Sequence, residues 1–97
     1  VKTYVVTVET TPTLLTDWTK DTYTPGESGG DMAHFAATAT FYNGSTGFSV
    51  GGSDVSVANG LPIVAGAYPS FELYRGENVY GIVASGTVDV RVCLTGA

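Results

Sequence analysis

A chain of 97 residues has room for one domain around one core, and not for two. Its hydrophobic share of 43%, with six Tyr and four Phe, is enough to pack that core without metal or disulfide and excludes a disordered chain. A net charge of −5, with Lys2, Lys20, Arg75 and Arg91 scattered along the sequence, excludes the clustered cations that nucleic acid or an anionic membrane demands.

Residues 1 to 8 place Tyr4, Val6 and Val8 on one face and Thr3, Val5 and Thr7 on the other, the period of a strand. From Glu9 to Met32 that period fails, and Pro12, Pro25, Gly26, Gly29 and Gly30 predict a short strand followed by a long irregular loop or arm. Its apolar points are Leu14, Leu15 and Trp18. Ala33 to Tyr42 resumes the alternation, with Phe35, Ala37, Ala39 and Phe41 facing one way. Asn43-Gly44-Ser45 offers residues that accept positive φ and predicts a tight hairpin whose returning strand is Gly47 to Val50.

Gly51 to Gly66 is rich in turn residues, with Asp54 placed for an Asx-turn and Asn59-Gly60 for a left-handed position. Val55, Val57, Leu61 and Ile63 are expected to anchor that loop to the core. A strand around Phe71 and Leu73, a polar turn at Arg75-Gly76-Glu77-Asn78 and a strand from Val79 to Ala84 follow, and Ser85-Gly86 turns the chain again. The last strand is the most regular, with Val88, Val90, Val92 and Leu94 inward and Thr87, Asp89, Arg91, Cys93 and Thr95 outward. About seven strands at such spacing predict one all-β domain over 1–97, a small antiparallel β-sandwich or barrel with a long N-terminal loop or arm over 9–32.

Charged residues make up only 13% of the chain, and Thr, Ser, Gly and Ala stand in their place. Such a surface loses its water easily and suits a chain packed among neighbours. Cys93 is the only cysteine, so no internal disulfide can form. No basic start precedes an apolar run and no stretch nears the ~20 apolar residues of a membrane helix. The chain is therefore expected to be soluble, without an export signal or membrane partner.

Reactive constellations are thin. His34, the only histidine, sits within an alternating strand and lacks a nucleophile beside it, and Cys93 has no cationic cluster to activate it. Glu72 and Glu77 flank the turn of an expected hairpin and read as solvated charges rather than a glycosidase pair. Asp17, Asp21, Glu27 and Asp31 lack the spacing of a calcium loop, and Gly51-Gly52-Ser53 lacks the Lys that follows in a phosphate loop. No catalytic residue, metal or cofactor is assigned.

The stretch from about Phe35 to Ala97, some two-thirds of the chain, resembles a recurrent β-domain of small virion proteins of tailed bacteriophages. The resemblance lies in the order and spacing of Asn43-Gly44-Ser45, Val50-Gly51-Gly52-Ser53-Asp54-Val55, Asn59-Gly60-Leu61-Pro62 with Gly66, Tyr80 to Ala84, and Ser85-Gly86-Thr87-Val88-Asp89-Val90-Arg91-Val92. It implies a non-enzymatic capsid decoration or cement protein on the outside of the virion, bound to the major capsid protein and to copies of itself; a trimer would suit a threefold position. Leu14, Leu15 and Trp18, in the segment outside the resemblance, are the expected contact residues. The alternatives are a tail- or fibre-associated adhesion module that binds host glycans through its aromatic residues, and a small hydrolase, for which no residues can be named.

Overall fold

The computed structural model describes residues 2–17, 36–74 and 77–96, with the backbone alone at 36, 37, 74 and 96. The described elements are all strands: β1 (Lys2–Val8), β2 (Thr13–Leu14), β3 (Ala36–Tyr42), β4 (Phe48–Gly51), β5 (Leu61–Ile63), β6 (Ser70–Tyr74), β7 (Tyr80–Ile82) and β8 (Val88–Gly96). They form two four-stranded antiparallel sheets, one in the order β1-β8-β3-β6 (sheet A) and the other β2-β7-β4-β5 (sheet B).

The pairing has a simple logic. β1 pairs with β8, β2 with β7, β3 with β6 and β4 with β5, so the second half of the chain runs back along the first. Two further pairings, β3 with β8 and β4 with β7, join these ribbons side by side within each sheet. A long hairpin with its tip between β4 and β5, rolled into two facing sheets, is the eight-stranded jelly roll. The expected β-sandwich is thus present.

Alternation decides the faces. Val88, Val90, Val92 and Leu94 of β8 are buried, and Asp89, Arg91 and Thr95 between them are exposed. Along β1, Val8 is buried and Tyr4 and Val6 pack against the core, while Thr3, Val5 and Thr7 face water. β3 contributes Ala39 and Phe41, with Phe71 of β6 tilted against Phe41 at 5.8 Å between ring centroids. Sheet B answers with Phe48, Val50 and Ile63, and Val83 follows from the end of β7.

The hairpin expected at Asn43-Gly44-Ser45 is not there. β3 lies in sheet A and β4 in sheet B, because both edges of β3 are taken by β8 and β6 and both edges of β4 by β7 and β5. The turn crosses between sheets instead, and no non-glycine residue among those described has positive φ. Asn43 shapes the crossing through its side chain. Its Oδ1 accepts the backbone N–H of Ser45 at 2.8 Å and of Thr46 at 2.6 Å, and its Nδ2 donates to the Asp89 carbonyl.

The strands on either side of residues 75–78 likewise belong to different sheets, so Glu72 and Glu77 do not flank one hairpin; Arg75 and Gly76 lie outside the described residues. In the tip loop, Ser56 and Asn59 cap one another: Asn59 Oδ1 accepts the Ser56 N–H at 2.7 Å, and Ser56 Oγ accepts the Asn59 N–H at 3.2 Å. That exchange does the work expected of Asp54, and among the described residues the left-handed glycines are Gly66 and Gly86 rather than Gly60. Val55 and Ile63 are buried as expected. Val57 and Leu61 are not, at 50% and 54% exposure.

Candidate functional site

β2 and the three residues after it are fastened at several points. Leu15 N–H donates to the Val79 carbonyl at 2.8 Å, and the buried Thr16 hydroxyl accepts the Val79 N–H at 2.9 Å while donating to the Glu77 carbonyl at 3.2 Å. The Tyr4 phenol donates to the Leu15 carbonyl at 2.6 Å and accepts the Asp17 N–H at 2.8 Å. This geometry turns the Leu15 side chain into the core, with no exposed surface, where it lies over Gly81. Leu15 is a core residue and not a contact residue, which corrects the expectation. Leu14, one position earlier on a strand, points the other way and is exposed. Trp18, His34 and the acidic positions Asp21, Glu27 and Asp31 lie outside the described residues.

The outer face of sheet B is apolar. Leu14, Tyr80 and Gly51 are register partners across β2, β7 and β4, and Ile82, Ser49 and Pro62 form the next row across β7, β4 and β5. The tip loop folds onto this face: Val55 covers Gly51, where an added Cβ would meet the Val55 Cγ2 at 2.8 Å. A groove of about 310 Å³ remains, lined by Val57, Pro62, Val64, Ile82 and Ala84 with Ser49 at its floor. Val64 on its rim is 71% exposed. Val57 and Pro62 beside it are exposed as well.

Sheet A is mixed, with Val5, 59% exposed, among its threonines. Its outer face reads Thr3, Cys93, Thr40 and Ser70 in one row, Val5, Arg91 and Tyr42 in the next, and Thr7 with Asp89 in a third. The hydroxyls are partly engaged: Thr40 and Ser70 share a hydrogen bond of 2.8 Å, and Thr7 donates to the Asp89 carboxylate at 2.8 Å. Tyr68, from the loop before β6, stacks on Tyr42 with ring centroids 4.5 Å apart and planes 14° from parallel. Gly44 makes room for Tyr42, since a Cβ there would sit 2.5 Å from its hydroxyl. Against this wall lies a groove of about 600 Å³ whose floor is Val5, Thr40 and Arg91. Sequence reading missed it because Tyr68 and Arg91, far apart in the chain, meet only through the register of β3 with β8.

No group of three or more His, Cys, Asp or Glu side chains able to hold a metal occurs among the described residues. Cys93 is half-buried on the outer face of sheet A, with its Sγ 3.8 Å from the Thr95 hydroxyl. No helix among them is long and apolar enough to cross a membrane.

The strand pairing defines a jelly-roll β-sandwich, with one groove on the outer face of each sheet. No family model, curated protein or solved structure matches this chain.

Proposed function

We propose that this protein is a non-enzymatic decoration protein of a bacteriophage capsid, which binds the major capsid protein through the outer face of sheet B and presents sheet A outward. The observation that carries the proposal is the group of apolar side chains, Val57, Pro62 and Val64, left exposed beside one groove on the outer face of sheet B. Burying the apolar face against a shell or a second copy would remove it from water, and a low-charge rim resists such burial little. The resemblance of residues 35–97 to small tailed-phage virion proteins supports the setting. Jelly rolls serve in capsid proteins, lectins and cupins alike, so the fold is compatible with the role and does not select it.

Quantitative mass spectrometry of purified particles tests the reading. A simple ratio to the major capsid protein is the expected result. A handful of copies per particle would move the protein to the tail or fibre, and its absence would overturn the virion assignment. Val64→Asp would bury an unpaired charge at the contact and is expected to lower capsid affinity ~10-fold or more. Being exposed, that position should tolerate the change in the free protein, with unaltered thermal unfolding as the control.

A further inference from the structure

Arg91 occupies an unusual place in a chain of net charge −5. It stands at the middle of sheet A, on β8, with Val5 and Tyr42 as its register partners and no acid opposite it. Its guanidinium makes no ion pair or hydrogen bond with any described residue, and the nearest acid on its own strand face, Asp89, is held by Thr7. The planar fork therefore faces the groove with its donors available, which suits bidentate recognition of a carboxylate. One ring face of Tyr68 rests on Tyr42 while 69% of the residue stays exposed, and Thr3 and Thr40 border the same groove.

We propose that this groove binds an acidic oligosaccharide, with the sugar carboxylate on Arg91 and a neighbouring pyranose ring stacked on Tyr68. The chemistry matches at each point. A pyranose presents an apolar C–H face to an aromatic ring and hydroxyls to the threonines around it. The volume of about 600 Å³ is within the range of small-ligand sites, and a second groove of about 450 Å³ continues from it along Val5, Tyr42 and Arg91 toward Ser45 and Asp89. The continuation offers room for a further sugar unit, whose hydroxyls Asp89 accepts. Strands carry Arg91, Tyr42 and Thr40, and Tyr68, from the loop before β6, is held by its stacking on Tyr42, so little ordering is required on binding.

The test uses the full chain, free of particles, and so is independent of its place in a virion. Amide chemical shifts are followed by NMR during titration with 3′-sialyllactose or a hyaluronan tetrasaccharide, and with lactose as the neutral counterpart. Saturable shifts at residues around Val5, Tyr42 and Arg91 are expected, with the acidic probes binding ~10-fold tighter than lactose. Arg91→Ala should abolish that preference, and Tyr68→Ala should weaken every sugar by a similar factor. Both side chains are exposed; Arg91→Gln and Tyr68→Ser serve if either alanine variant unfolds. Equal binding of acidic and neutral sugars, no saturable shift with either acidic probe, or binding indifferent to Arg91 would overturn the proposal. So would shifts of these amides by purified major capsid protein with none by sugar, which would make this face a protein contact.

Discussion

The Tyr4 phenol joins β1 to the segment after β2, donating to Leu15 and accepting from Asp17. Burial raises its pKa above the ordinary tyrosine value; the Asp17 N–H on its oxygen opposes this, and the nearby Asp17 charge adds to it. Because the folded pKa is the higher one, the stability it contributes is complete below about pH 10 and fades as pH rises through the folded value. Tyr4→Phe leaves a carbonyl and an N–H without this partner and is expected to cost ~1–3 kcal/mol in urea unfolding at neutral pH. The difference between variant and parent should shrink above pH ~10; a constant difference would dissociate Tyr4 from the alkaline loss. Glycines separate two further effects. At Gly86, with φ +68° and open space around it, Ala should cost ~1–2 kcal/mol through backbone conformation alone. At Gly81 the added methyl would meet Leu15 Cδ1 at 3.1 Å and Val8 Cγ2 at 3.2 Å, and overpacking of ~1–3 kcal/mol is expected, relieved in the double variant Gly81→Ala/Leu15→Val.

At the scale of elements, the strands with clean alternation were legible. β1, β3 and β8 fall where the period of two put them, and their buried residues are the predicted ones wherever side chains are described. The connections were not. Asn43-Gly44-Ser45 has the composition of a hairpin, yet it crosses between sheets, because the same residues that favour a tight turn also satisfy the backbone of a crossover. Asn43→Ala would remove that scaffold and is expected to cost ~1–3 kcal/mol, measured by thermal or urea unfolding. Cost below a few tenths of a kcal/mol would mean that the paired strands alone hold the crossing. The candidate surfaces were only partly legible. Leu14 was named and does lie on the apolar face of sheet B, but Leu15 was named with it and belongs to the core. The outward position of Arg91 was legible from the alternation of the last strand, whereas Val64 and Tyr68 carried no local signal.

Across the whole molecule, nearly every connection moves between sheets, and β1 pairs with β8 from opposite ends of the described chain, Lys2 opposite Leu94. Long-range pairing of this kind makes folding slow for the chain's size, and refolding in milliseconds to seconds is expected. Hydrogen exchange should follow sheet position: β8 and β3 in sheet A, and β7 and β4 in sheet B, are flanked on both sides and should be the most protected, with β5 and β1 exchanging sooner. Equal protection of β5 and β8 in the free protein would contradict this order.

By itself the sequence determined the all-β class, the single core and the side of each regular strand that enters it, because alternation is a property of neighbouring residues. Only the tertiary structure decided which turns cross between sheets, which of Leu14 and Leu15 is buried, and that Tyr42, Tyr68 and Arg91 share one groove. Those outcomes depend on register between strands distant in the chain, where the competition for each strand edge is settled by the packing of the whole core rather than by any local pattern.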